Sequence, residues 1–210
     1  MIQYVCKYTP TELFRGFGET CAVLEEMSEN FELSDQVAHA NLCGFGKSVI
    51  QAVLEDKVDE LVLVNCCDSM RRVSDIVEST GKCKFLYILD LPHEDNACEK
   101  MKFAGAIRRL RDTYAAYSGK TFDRSLFLHA FAGNSDAKQP YIGVLGVRVS
   151  GVMETMIRDN MQMDVENLTC TGGRKLAVLP EEMRAMDEDA MFLAYADALL
   201  GQMPCFRMNN

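Results

Sequence analysis

Nine cysteines, at positions 6, 21, 43, 66, 67, 83, 98, 170 and 205 of 210 residues, are the side chains whose chemistry most needs a reason. Their odd number argues against a complete disulfide framework. The chain opens Met-Ile-Gln-Tyr-Val-Cys-Lys, without the charged, apolar and small-residue regions of a signal peptide. No apolar stretch approaches the roughly 18 residues that cross a bilayer. A cytoplasmic location is expected, and there disulfides are disfavoured. Two uses remain: the thiol packed as a small hydrophobe, and the thiolate as a ligand of a metal or cluster. Thirteen Met and no Trp make an oxidation-sensitive composition, in keeping with an anaerobic or strongly reducing habitat.

Three cysteines fall in expected loops. Cys43 precedes a helix, Cys67 sits at a strand tip before a helix, and Cys170 ends a strand before Gly172-Gly173-Arg174. Ligands of open α/β sheets gather at the carboxyl ends of strands, and helix N-termini carry partial positive charge that favours thiolate. Three thiolates on a 4Fe-4S cubane leave one iron without a protein sulfur, free to act as a Lewis acid. Spacing by itself points the other way. There is no C-x-x-C pair, the intervals from 43 to 67 to 170 match no compact ferredoxin pattern, and buried structural thiols are common. Cys66 is an alternative ligand to Cys67; Cys6, Cys21, Cys83, Cys98 and Cys205 read as structural. His39, four residues before Cys43, is a candidate acid or base. Arg71, Arg72 and Arg174 are candidates for phosphate groups or, equally, solvated charges. Gly44-x-Gly46-Lys47-Ser48 lacks the G-x-x-x-x-G-K-S/T spacing of a phosphate loop, and no hydrolytic triad or H-E-x-x-H pattern occurs.

The elements that must position these residues have an α/β rhythm. Hydrophobic residues make up 48% of the chain, enough for a core, while a net charge of −9 and no basic run exclude a nucleic-acid footprint. Thr9-Pro10-Thr11-Glu12 predicts a capped helix with Leu13, Phe14 and Phe17 on its apolar face. Lys47–Glu55 follows as a helix after a turn at 41–46. Leu61–Val64 and Lys84–Leu89 read as buried parallel strands. Asp68-Ser69 is expected to cap a helix stopped at Gly81. A long helix runs from Ala97 to Tyr117 with Arg108, Arg109 and Arg111 on a solvated face. Residues 133–139 form a linker. Beyond it come a strand at 141–145, a helix at 152–160, a strand beginning near Met163 and a helix at 187–200. The expected fold is α/β: a flavodoxin- or Rossmann-like open parallel sheet over residues 1–136, then a second, incomplete α/β unit over residues 137–210.

An ordered set of motifs resembles the 2-hydroxyacyl-CoA dehydratase and benzoyl-CoA reductase family. Tyr8-Thr9-Pro10-Thr11-Glu12-Leu13 with Gly18 is similar to its opening segment. Leu42-Cys43-Gly44-Phe45-Gly46-Lys47 resembles its first cluster cysteine with a basic residue following. Val64-Asn65-Cys66-Cys67-Asp68-Ser69-Met70-Arg71 resembles its Cys-Asp-x-x-Arg/Lys segment, which selects Cys67 over Cys66. Leu89-Asp90-Leu91-Pro92 is similar to the stretch joining its two domains, Tyr141–Gly146 to the start of the second, and Leu168-Thr169-Cys170-Thr171-Gly172-Gly173-Arg174 to its third cysteine. Pro204-Cys205-Phe206 is similar to a later Pro-Cys segment. The resemblance implies that Cys43, Cys67 and Cys170 bind a 4Fe-4S cluster in a lyase subunit of two flavodoxin-like domains. It implies a second dehydratase-type subunit or self-association, and an ATP-dependent activator protein that feeds one electron to the cluster. An acyl-CoA substrate would be reduced to a ketyl radical and lose its 2-hydroxyl. Family members continue past residue 210, so the second unit is expected to expose strand surface and to associate through residues beyond Pro140. A non-catalytic cluster-binding or electron-relay protein, and an acyl-CoA or double-cubane reductase component, are the alternatives.

Overall fold

The computed structural model describes residues 1–24, 28, 30–94, 96–131, 140–146, 148–174, 176, 180–204 and 208. The chain runs β1 (Ile2–Tyr4), α1 (Thr11–Arg15), β2 (Cys21–Val23), α2 (Ser34–Val37), α3 (Gly44–Leu54), β3 (Glu60–Asn65), α4 (Asp68–Thr80), β4 (Phe85–Asp90), α5 (Ala97–Ser118), α6 (Arg124–His129), β5 (Tyr141–Val144), α7 (Gly151–Met161), β6 (Asp164–Asn167), α8 (Pro180–Ala185) and α9 (Glu188–Leu200). It divides into two compact units: Met1–Thr9 with Thr20–Leu91, and Pro10–Glu19 with Pro92–Asn210. The linker expected at 133–139, and with it the boundary at residue 136, lies outside the described residues.

In the first unit the apolar run Leu61–Val64 is entirely buried. A run apolar on both faces can be a strand only if both faces and both edges are covered. The edges are covered by parallel pairing, with Gln3 opposite Leu61 on one side and Leu61 opposite Leu86 on the other. The sheet order is β2-β1-β3-β4, the beginning of the flavodoxin-like order, whose switch point lies between β1 and β3. Strands β1 and β2 have three residues each, too few to show a periodicity, so the residues alone predict no strand there. The connections β2 to β3 and β3 to β4 cross the sheet in the same direction. Right-handed crossovers then place α3 and α4 on one face, and Gly46 of α3 is packed so closely on α4 that an added Cβ would lie 3.0 Å from Val73. Of the apolar residues at helical spacing, Val49, Ile50 and Val53 of α3 and Val73 and Val77 of α4 are buried, while Leu54 and Ile76 are half-buried.

One buried polar side chain organises the segment before α3. Gln51 Oε1 accepts from the Leu33 and Ser34 amides at 3.0 and 2.9 Å, and its Nε2 donates to Glu55 at 2.8 Å. These bonds satisfy the N–H groups that open α2, which has no side-chain cap of its own.

The second unit is held by a different set of contacts. Helices α5 and α9 lie antiparallel, as the pairs Lys100–Asp197, Arg108–Asp189 and Arg111–Glu188 require. Arg111, expected in solvent, is instead tucked over the Phe192 and Phe122 rings, its Cζ 5.1 and 5.9 Å from their centroids. Phe14 and Phe17 of the α1 segment meet Tyr114 edge-on at 5.1 and 5.2 Å. Arg124 donates to the Met183 and Met186 carbonyls at 2.8 and 2.6 Å and so caps α8. Strands β5 and β6 pair in parallel, while α7 between them buries none of its own residues. A two-stranded parallel sheet with so little cover fits the expectation of an incomplete α/β unit.

Three helix starts differ from the expected ones. Helix α1 starts at Thr11 with no side-chain cap, because its N-cap residue is Pro10, whose ring has no acceptor; the Glu12 carboxylate meets a buried arginine described below. Helix α3 begins three residues earlier than expected, at Gly44, since Cys43 itself supplies the cap. Helix α4 is preceded by Cys67, which leaves Asp68 inside the first turn, where an acid still complements the helix dipole.

Replacing Gln51 by Ala removes the acceptor for two amides. The expected loss is about 1–3 kcal/mol for a buried donor left unpaired, read as a lower urea midpoint with an unchanged m-value.

Candidate functional site

Cys43 is set by the turn in front of it. His39 Nδ1 accepts from the Asn41 amide at 3.1 Å, and the Leu42 amide donates to the His39 carbonyl at 3.0 Å. His39 therefore shapes the turn leading to the thiol. The Cys43 backbone is extended, and its Sγ accepts from the Gly46 amide at 3.4 Å, as an N-cap oxygen would. Lys47, the basic residue one turn on, is neutralised by Asp35 at 2.6 Å.

Cys67 is set by the end of β3. Asn65, the last residue of that strand, lies in register with Asp90, the last of β4. Its Nδ2 donates to Asp90 at 2.9 Å, and its Oδ1 accepts from Arg71 Nε at 2.5 Å. Arg71 thus reaches back over Cys66 and Cys67 and ties the first turn of α4 to the strand tip. The Cys66 amide donates to the Val64 carbonyl at 2.8 Å, the tight turn that ends the strand. Cys67 then takes an extended conformation in front of α4. Because α3 and α4 run alongside each other, Cys43 and Cys67 occupy neighbouring helix N-termini at the carboxyl end of the sheet.

Cys170 follows β6 in the second unit. Asn167 Oδ1 accepts from the Thr169 amide and hydroxyl at 3.0 and 2.6 Å, while its Nδ2 donates to Glu154 at 2.6 Å. The Thr171 hydroxyl donates to the Val149 carbonyl at 3.2 Å. Thr169 and Thr171 are buried, and Cys170 between them is half-exposed. Gly172 makes the turn possible: a Cβ there would lie 1.7 Å from the Asn167 carbonyl oxygen.

Arg174 closes this segment. It forms an ion pair with Glu12 Oε2 at 2.8 Å and donates from Nη1 to the Thr11 hydroxyl. The buried Tyr195 hydroxyl donates to the same Glu12 oxygen at 2.6 Å. Burial opposes the charge of Arg174, yet the Glu12 carboxylate more than offsets this and holds the guanidinium above its ordinary range. Burial, and then the neighbouring carboxylate, push the Tyr195 phenol well above its usual value. The sequence alone marks neither Glu12 nor Tyr195 as a partner of the cysteine segments. The only trace in the sequence is an acid inside a Thr-Pro-Thr-Glu opening and a tyrosine within an apolar helix.

The structure therefore brings Cys43 and Cys67 to one end of the first unit and sets Cys170 in the second. None of the eight described cysteines is in a disulfide; Cys205 lies outside the described residues. The Cys83 thiol donates to the Asp59 and Phe85 carbonyls, and burial pushes its pKa up, as suits a packed structural thiol. Among the described residues no three His, Cys, Asp or Glu side chains gather closely enough to hold a metal ion. Cys43, Cys67 and Cys170 are thiols on loops, the donor type that iron–sulfur clusters take; the first two lie in one unit and the third in the other. No helix among the described residues is long and apolar enough to cross a membrane.

The family model for 2-hydroxyglutaryl-CoA dehydratase, D-component, matches residues 6–138. The match contains Glu12, Cys43, Cys67 and Asp90 and stops before Cys170 and Arg174. No curated protein matches the chain.

Gly172→Ala should disrupt the Cys170 turn, seen as faster hydrogen exchange across residues 167–174 with exchange in the first sheet unchanged. A second expectation concerns alkaline pH. The folded chain keeps the Tyr195 proton where an unfolded chain, titrating near pH ~10, gives it up. The stability contributed by this group is thus complete below about pH 10 and lost as the pH rises further. Melting curves from about pH 9 to 11 should fall more gently for Tyr195→Phe than for the parent; identical slopes would refute the assignment.

Proposed function

The chain belongs to the 2-hydroxyglutaryl-CoA dehydratase D-component family, a dehydratase-type component, and on that premise we propose that it is the iron–sulfur component of a 2-hydroxyacyl-CoA dehydratase. Cys43, Cys67 and Cys170 are its proposed cluster ligands. The observation that carries the reading is the pair of cysteines on adjacent helix N-termini, inside the matched segment and at the end of the sheet where α/β proteins hold their ligands. When bound, a 4Fe-4S cluster supplies a redox centre and, at the iron lacking a protein sulfur, Lewis acidity toward an acyl-CoA oxygen. The chain's own residues do the positioning. Arg71 and Asn65 fix the Cys67 turn, His39 shapes the approach to Cys43, and Asn167 with Gly172 builds the Cys170 turn. The partners in this reading are an ATP-dependent activator protein as electron donor and a second dehydratase-type subunit or a second copy of the chain.

One observation favours a second reading, a cluster-binding electron relay without catalysis. Arg71 and Arg174, candidates for the CoA phosphates, are engaged by Asn65 and Glu12.

Anaerobic reconstitution with iron and sulfide decides the cluster. A folded chain that takes up no iron sinks both readings. Cys67→Ala should abolish most of the brown absorbance and Cys66→Ala should keep it; equal loss would remove the distinction between the two. Dehydration of a panel of 2-hydroxyacyl-CoAs, with activator, ATP, reductant and partner subunit supplied, separates the enzyme from the relay.

A further inference from the structure

Glu12 and Cys170 stand 158 residues apart in sequence, yet both belong to the second unit, and Glu12 holds the backbone that leaves Cys170. The contact is built. Only 10% of the Arg174 side chain and 14% of the Glu12 side chain are exposed, at 2.8 Å separation. A fully buried tyrosine hydroxyl donates to the same carboxylate oxygen. On the upstream side, Asn167 and the two threonines immobilise the strand end. Between these anchors Gly172 lies against the Asn167 carbonyl. Cys170 is thus the half-exposed apex of a turn tied at both ends.

We propose that Glu12 is a positioning residue for Cys170. Through Arg174, the carboxylate sets the path of residues 171–174 and so the direction in which the Cys170 thiol is offered; this rests on the reading of Cys170 as a cluster ligand. The opening segment of the chain is then a working part of the third cysteine's turn. Without the carboxylate, the buried guanidinium is uncompensated and moves toward water, carrying the turn with it. Tyr195 tunes the tether by donating to Glu12 and leaving one fewer lone pair for other partners.

The test uses the full chain under anaerobic conditions. Iodoacetamide labelling of Cys170 and Cys43 is followed by peptide mass spectrometry in the same sample, for the parent, Tyr195→Phe, Glu12→Gln and Glu12→Leu/Arg174→Met. Glu12→Gln should speed labelling of Cys170 by roughly tenfold, as local opening of one segment does, and leave Cys43 unchanged. Tyr195→Phe should give a smaller rise at Cys170 alone. In the double variant the pair is replaced by apolar side chains, which restores packing without the charge. It should melt like the parent and still label fast at Cys170. Equal acceleration at both cysteines, no acceleration at Cys170, or a double variant that regains slow labelling would each overturn the tether. If Glu12→Gln fails to fold, Tyr195→Phe and the double variant still decide. Iron loss to a chelator from the reconstituted protein should follow the Cys170 labelling rates. A parent that takes up no iron removes the cluster role of Cys170 and leaves the labelling comparison to judge the tether itself.

Discussion

Parallel pairing of β3 on both of its edges is the constraint from which the first unit follows. Leu61 to Val64 are wholly buried, so this strand tolerates no slip: a shift by one residue would exchange its two faces and misplace every neighbour. Fixed register with β4 brings Asn65 opposite Asp90, and that pair receives Arg71 from the next helix. A dry strand thereby delivers a polar tip at a defined height, and the Cys66-Cys67 turn hangs from it. Helix α3 meets α4 closely at Gly46, which sets Cys43 beside the same end.

The second unit has no comparable sheet. Its long helices are matched by charge, with Lys100, Arg108 and Arg111 facing Asp197, Asp189 and Glu188. Pairs whose carboxylates stay exposed contribute little stability each, about 0–1 kcal/mol, so their effect is on register and direction. Packing comes from rings: Phe14, Phe17, Tyr114, Phe122, Phe127, Phe192 and Tyr195 contact one another edge-on or tilted. Within this aromatic setting the Glu12–Arg174 pair is the exception. A buried ion pair is a weak source of stability because both charges lose their water. Its place next to the Cys170 turn suits a device that selects one path of the chain.

A consistent division of labour emerges around the three thiols. Residues that look reactive in the sequence mostly shape the cysteine turns: His39 by accepting an amide, Arg71 by holding Asn65, Arg174 by meeting Glu12. Lys47 is balanced by Asp35. Charge is thus spent on geometry, and the thiols are left as the side chains suited to soft-metal chemistry. That arrangement is in keeping with the role proposed for the three cysteines in a dehydratase-type component.

Much of the frame was legible in the residues alone. The apolar runs at 61–64 and 84–89, the 3.6-residue spacing in α3 and α4 and the glycine stop at Gly81 are local signals, governed by periodicity and backbone conformation. So was the placing of Cys43, Cys67 and Cys170 on turns. The three-residue strands β1 and β2 carry no periodicity and exist only because β3 offers an edge to pair with. Arg111 reads as a solvated charge until two phenylalanines from distant segments come under it. Glu12 reads as a capping acid until Arg174 is buried beside it. Side-chain partners separated by many residues leave no local mark, because their choice is made by competition for burial and charge after the elements have docked. Sequence by itself determined the longer strands and helices and the cysteine turns; tertiary structure alone decided the short edge strands and which charged side chain holds which turn.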